Sequence, residues 1–356
     1  LNLTIDCYSL SIIVTFASKY NVIYYLNLIE RKLEMKQLFF LFIIIMFYCG
    51  CKERISEIKK LTPVTVRLQW HIQTQFAGYY VALEKGFYRD EGLDMSIKEG
   101  GYGKNCIVTV KNGLEEFGTK WTADLFAEGN EFISIANIVK NNGLLLVSKR
   151  KKNIKTIPDL VGKKVSIWFI GNEYQLYTLL ESQNINRNRI KIIPQKWNMS
   201  QFLKDEVDVG SVMIYNELLT VYKAGYSKKT LNIIDYKDYG VGFPGHSIFT
   251  SKKYYNENRN ICMKMVRASI KGWKYAMKNP DEAVSIVLKY DDKKILKVDH
   301  QKRQMHEMIR LIASNKFPIG SHDKKMMLKI ERIYKRFNII KKEINVEKIY
   351  TDEFIR

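Results

Sequence analysis

Residues Val64 to Gly101 read VTVRLQWHIQTQFAGYYVALEKGFYRDEGLDMSIKEGG, and their spacing describes a strand, a helix and a second strand around an aromatic-rich turn. Val64, Val66 and Leu68 alternate as one buried strand face, and Trp70 falls where that strand should end. Thr74 is placed to cap the helix that follows. Phe76, Tyr79, Tyr80 and Leu83 recur at helical spacing, and Gly86 supplies the left-handed residue that stops the helix. Leu93, Met95 and Ile97 then alternate as the second strand. Such a βαβ unit sets the end of its first strand beside a helix N-terminus, the usual crevice for a small molecule in an open α/β sheet.

Outward from this unit, strand and helix patterns keep alternating. A helix is expected over 103–112, a short strand over 117–119, a helix over 122–127 and apolar strands over 133–139 and 144–148. A charge run, Lys149 to Asn153, precedes a second set: strands over 164–168, 190–194, 209–213 and 231–235, with a helix over 172–182. Alternation of this kind implies a mostly parallel sheet covered on both faces. From Ser247 the pattern turns helical, with apolar residues at three and four spacing over 259–279, 280–289, 297–314 and 323–335.

The chain has 356 residues, 46% of them hydrophobic, enough to bury a core in about two domains. Its 58 Lys and Arg against 37 Asp and Glu give a formal charge of +21. The lysines lie in short scattered runs that read as solvated faces, and no basic motif supports a nucleic-acid partner. Met35-Lys36 precedes an apolar run from Leu38 to Tyr48 that is short for a membrane span and suits a secretory signal. Gly50-Cys51 at its end resembles a bacterial lipoprotein processing site, with Cys51 as the acylated residue. The reading is an upstream extension over 1–34, a lipoprotein-type signal peptide over 35–50 and a charged tether over 51–62. Only Cys106 and Cys262 remain for the folded body, and neither they nor the five histidines show metal-ligand spacing.

The order W-x4-QFAGYY-x3-EKGFY-x3-GLD, starting at Trp70, resembles the opening of bacterial solute-binding proteins similar to thiamine-pyrimidine synthases. The resemblance continues through FGTKWTADL (117–125), IPDLVGKKVSIW (157–168), GNEYQL (171–176), EVDVGSVMIYNEL (206–218), DYGVGF (238–243) and the long string from Arg267 to Tyr290. It implies an α/β, two-lobed periplasmic-binding-protein fold of type II-like form with a ligand cleft between the lobes. Lobe 1 would comprise 63–148 and the helical 246–356, and lobe 2 would be 149–245, with crossings near Ser148 and Gly245.

No phosphate loop, metal box or catalytic triad stands out, and no cofactor is implied. Flat stacking surfaces with a few polar groups do occur at strand ends. Trp70, Trp121 and Trp168 sit there, and Tyr79 and Tyr215 lie in the motif segments; paired aromatic faces can sandwich a planar heterocycle. Glu173 and Glu217 each follow an asparagine, Asn172 and Asn216, at a strand-to-helix junction. A carboxylate there can accept from the ring nitrogen and exocyclic amine of an aminopyrimidine together. Gln75 completes the candidate ligand-binding set, in which no residue is catalytic.

The expected function is therefore the membrane-anchored substrate-binding component of an ABC importer, partnered by a permease and an ATPase. It would sit on the outer face of the cell membrane or the periplasmic side as a lipoprotein, and capture a thiamine-related pyrimidine precursor. One alternative keeps the fold and binds a sulfonate, nitrate or other small organic anion. Another is a pyrimidine-synthase-like enzyme, which the absence of a cysteine-rich run and the export leader disfavour.

Overall fold

The computed structural model of the protein describes residues 60–101, 103–169, 171–313, 317–340 and 344–355. The expected upstream extension, signal peptide and Cys51, with nearly all of the expected tether, lie outside the described residues. The body from Leu61 onward contains two five-stranded sheets. The first holds β1 (Thr62–Arg67), β2 (Leu93–Lys98), β3 (Phe117–Trp121), β4 (Phe132–Asn137) and β10 (His246–Ser251), in the order β2-β1-β3-β10-β4. The second holds β5 (Leu144–Lys149), β6 (Lys164–Ile167), β7 (Lys191–Pro194), β8 (Val209–Met213) and β9 (Leu231–Asp235), in the order β7-β6-β8-β5-β9.

The alternation at Val64, Val66 and Leu68 does bury one strand face, and β1 pairs parallel to β2 with Val64 opposite Met95. Parallel pairing continues from β1 to β3 in the first sheet and from β6 to both β7 and β8 in the second. The sheets are nonetheless mixed. β10 runs antiparallel to β3 and β4, and β5 antiparallel to β8 and β9.

These two strands are the first after each crossing. Since β5 pairs in the second sheet, the outward crossing lies between Asn137 and Leu144, not near Ser148. An apolar run such as Leu144 to Ser148 announces a strand; its side-chain pattern says nothing about which sheet it joins. The return crossing lies between Asp235 and His246, which spans Gly245. The strand His246–Ser251 replaces the start of the expected helical region, because HSIFTS is buried on both faces and lacks strand alternation.

The helices number α1 (Ala77–Glu84), α2 (Phe87–Asp90), α3 (Cys106–Lys111), α4 (Thr122–Ala127), α5 (Asn172–Ser182), α6 (Ser200–Leu203), α7 (Glu217–Lys223) and α8 (Lys252–Glu257). The C-terminal set follows as α9 (Arg259–Lys278), α10 (Pro280–Lys289), α11 (Val298–Ile312) and α12 (Lys324–Arg336). Gly86 does end α1 in the left-handed region, with φ 72. Thr74 does not cap α1. It opens a 3-10 turn, and its hydroxyl bonds Gln301 and Gln304 of α11 instead.

Glycines set how closely α9 approaches α1. A Cβ on Gly272 would lie 2.2 Å from the Gly78 carbonyl oxygen, and one on Gly78 would lie 2.2 Å from the Trp273 ring. Cys106 and Cys262 are buried free thiols, and burial raises them to about 11 and about 12. Among the described residues no helix is long and apolar enough to cross a membrane, and no cluster of His, Cys, Asp and Glu could hold a metal ion.

Candidate ligand site

The carboxyl ends of β1, β3, β6 and β8 converge on one cleft of about 700 Å³ that opens to solvent. This placement follows from parallel pairing, which sends every strand-to-helix turn to the same edge of its sheet. Trp70 follows β1, Trp121 ends β3, Trp168 follows β6 and Tyr215 follows β8, and all four line the cleft. Asn172 opens α5 and Glu217 opens α7, so two helix N-termini also face it.

Of the residues expected at the site, Trp70, Gln75, Trp121 and Asn172 therefore meet Tyr215, Asn216 and Glu217 around one space. Tyr79 and Glu173 do not line it. Tyr79 points into the core, fully buried, with ring centroids 6.0 Å from His246 and 5.8 Å from Trp273. Helical spacing placed it beside the motif without saying which way its face of α1 turns. Glu173 folds back on its own helix start, where Oε2 accepts from the Gly171 N–H at 2.8 Å. Burial pushes its carboxyl up.

The sequence pattern missed Gln69, Gln73, Lys120, Met213 and Trp197. Trp197 stands between β7 and α6 with 53% of its surface exposed, and its ring lies 4.9 Å from that of Trp70 at 37°. Its only signal is a lone tryptophan in the polar string QKWNMS. The Trp70–Trp197 pair thus joins a residue following a strand of the first sheet to one following a strand of the second.

Glu217 is the cleft's carboxylate with neutral partners. Its Oε2 accepts from the Met213 N–H at 3.0 Å and its Oε1 from Asn216 Nδ2 at 2.8 Å. Desolvation pushes its carboxyl above the ordinary range, and those two donors only partly offset the effect. Lys120 contributes a cation to the lining, tied to Asp124 Oδ2 at 3.0 Å. Burial opposes the Lys120 charge, but the adjacent carboxylate holds it above its usual value.

Three polar atoms of the lining residues are buried without a protein partner: Gln69 Oε1, Trp168 Nε1 and Asn172 Nδ2. Leaving such atoms unpaired costs about 1–3 kcal/mol each. The cleft therefore offers stacking faces and an anionic acceptor, and its lining residues include an unpartnered amide acceptor and two unpartnered donors.

A second constellation has the geometry of a nucleophilic triad. Ser134 Oγ lies 2.6 Å from His322 Nε2, and His322 Nδ1 lies 2.6 Å from Asp352 Oδ1. Geometry alone does not make a catalytic centre. Ser134 is fully buried within β4, with its backbone bonded to Ile349 and Thr351, and none of the three residues lines the cleft. The trio fastens the segment after α12 to the sheet edge.

The NMT1/THI5-like family pattern matches residues 73–283. A formylaminopyrimidine-binding protein of Halalkalibacterium halodurans is 23% identical over 262 residues, covering 71% of this chain and 78% of that one. The riboflavin-binding protein RibY of Chloroflexus aurantiacus is 21% identical over 309 residues, covering 83% and 86%. Among solved structures, the periplasmic aliphatic sulphonate binding protein SsuA from Escherichia coli superposes with a TM-score of 0.64 at 12% identity, covering 83% of this chain and 99% of that one. With the pattern spanning more than half of the chain and the two-sheet architecture matching, the chain belongs to the NMT1/THI5-like family and has the periplasmic-binding-protein fold.

Proposed function

We propose that this chain is the substrate-binding component of an ABC importer, anchored by lipid at Cys51, and that it captures a thiamine-related pyrimidine precursor. One observation carries the ligand class: a desolvated carboxylate, Glu217, faces a cleft walled by indole and phenol rings whose lining also holds unpartnered amide and indole atoms. An aminopyrimidine is flat, donates through its exocyclic amine and protonated ring nitrogen, and accepts at its remaining ring nitrogen. The formylaminopyrimidine-binding relative supports the same class. A sulfonate or nitrate would find the two helix N-termini but also the Glu217 carboxylate, which repels an anion, and the Lys120 charge is already matched by Asp124. The nature of the site favours capture over chemistry, since its convergent groups supply recognition and the Ser134 triad has no access to the cleft.

The test is a thermal-shift and calorimetry series with 4-amino-5-hydroxymethyl-2-methylpyrimidine, riboflavin, taurine and nitrate. At ~100 times its dissociation constant a ligand of the native state adds about 2.7 kcal/mol of stability, so the pyrimidine should raise the melting temperature. A rise with taurine and none with the pyrimidine replaces this reading with the anion. Anchoring is checked separately: a palmitate analogue fed to expressing cells should label the wild type and not Cys51→Ala.

A further inference from the structure

The imidazole of His300, in the first turn of α11, reaches Asn216 at the mouth of α7, with 2.9 Å between Nε2 and Oδ1. A carbonyl oxygen only accepts, so Nε2 carries the hydrogen and donates. The other end of the same amide, Asn216 Nδ2, donates to Glu217 Oε1 at 2.8 Å. Three groups thus form one directed chain, His300 to Asn216 to Glu217, ending on the cleft carboxylate. An asparagine amide can sit either way round. With His300 donating to one end, the orientation that aims NH2 at Glu217 is selected.

The two ends of the chain belong to different halves of the cleft. α11 is tied to the turn after β1 by Thr74, whose N–H donates to Gln301 Oε1 at 2.8 Å and whose hydroxyl meets Gln304 Oε1 at 2.8 Å. Asn216 and Glu217 follow β8 of the second sheet. The His300–Asn216 bond therefore joins the two halves of the cleft, as the Trp70–Trp197 pair does.

We propose that His300 is a positioning residue for ligand capture: a cross-cleft donor that locks the Asn216 amide so that the Glu217 carboxylate is held ready only when the two halves are together. This rests on the reading of the cleft as the ligand site. The residue touches no lining surface itself and acts through Asn216. It makes opening of the cleft and release of the carboxylate a single event, so His300 slows ligand escape more than it speeds entry.

The test compares wild type, His300→Ala, His300→Gln, Glu217→Gln and the His300→Ala/Glu217→Gln double variant. In unliganded protein, hydrogen exchange of the Met213 amide, which donates to Glu217, should quicken about threefold or more in His300→Ala and recover in His300→Gln, which keeps a donor. With 4-amino-5-hydroxymethyl-2-methylpyrimidine, stopped-flow dissociation should quicken about 5–10-fold in His300→Ala with association nearly unchanged. The same substitution should have a much smaller effect in the Glu217→Gln background. Unchanged Met213 exchange together with unchanged dissociation overturns the proposal, as does an equal loss in both backgrounds. If wild type binds no pyrimidine, the ligand class of the previous section fails, and the Met213 exchange result alone decides the role of His300.

Discussion

A half-buried, desolvated carboxylate with only neutral hydrogen-bond donors is held at a cost, and Glu217 is such a group. That cost is recovered when a ligand brings a positive edge to it. Glu217→Gln keeps the size, loses the charge and turns a donor toward groups that already donate. A charged hydrogen bond is worth about 1.5–3 kcal/mol, so pyrimidine affinity should fall roughly tenfold or more by calorimetry. His246 shows the opposite device. Its ring lies within a cage of Phe76, Tyr79 and Trp273, and burial pushes its pKa down to about 3. Below the ordinary pKa of 6.5 the unfolded chain binds a proton that the native state refuses, so stability falls as pH drops from 6.5 toward about 3. Melting temperature against pH in that window should be measurably flatter for His246→Leu than for wild type, whatever its absolute stability. An unchanged slope would assign the acid sensitivity to other groups. In the sequence Tyr79 looked like a ligand group and His246 like nothing in particular. The structure makes them partners, because residues at helical spacing show that a face exists without showing what opposes it.

At the scale of elements, periodicity located most pieces well. The bounds of α4, α5, α10, β8 and β9 were readable from the sequence to the residue, since each is flanked by its own stop: Ala127 precedes Glu128-Gly129, and Pro280 opens α10 after Asn279. The failures share a cause. β10, the Thr74 turn and the sheet chosen by β5 are all decided by a partner distant in the chain. Thr74 is held by Gln301 and Gln304, 227 and 230 residues away, and no local pattern reports that. Trp197 escaped for the same reason, because its relevance comes from Trp70 across the cleft. Contact between α1 and α9 offers a direct check on this level. Gly272→Ala forces a methyl against the Gly78 carbonyl, and overpacking of this kind costs about 1–3 kcal/mol. Chemical denaturation should show that loss. A variant as stable as wild type would mean that the helices can separate without penalty.

At the scale of the molecule, the two sheets differ in how the chain builds them. All strands of the second come from one continuous stretch, Leu144 to Asp235, whereas the first is assembled from both sides of that stretch. Local pairings close short loops and form sooner than distant ones. Pulse-labelled exchange during refolding should therefore protect amides of β6 and β8 before those of β3 and β4. Simultaneous protection of both sets would show that the sheets fold as one unit.

The position of β10 gives this order a further meaning. It lies between β3 and β4, which have no other strand to join them, so the first sheet stays split until His246 to Ser251 has been made. A nascent chain emerging from the ribosome carries β1 to β4 for more than a hundred residues before the missing strand arrives. During that interval the first sheet lacks the one strand that joins β3 to β4. Any process that must act on the chain before its first sheet closes has that interval in which to do so, and the delay is set by strand order.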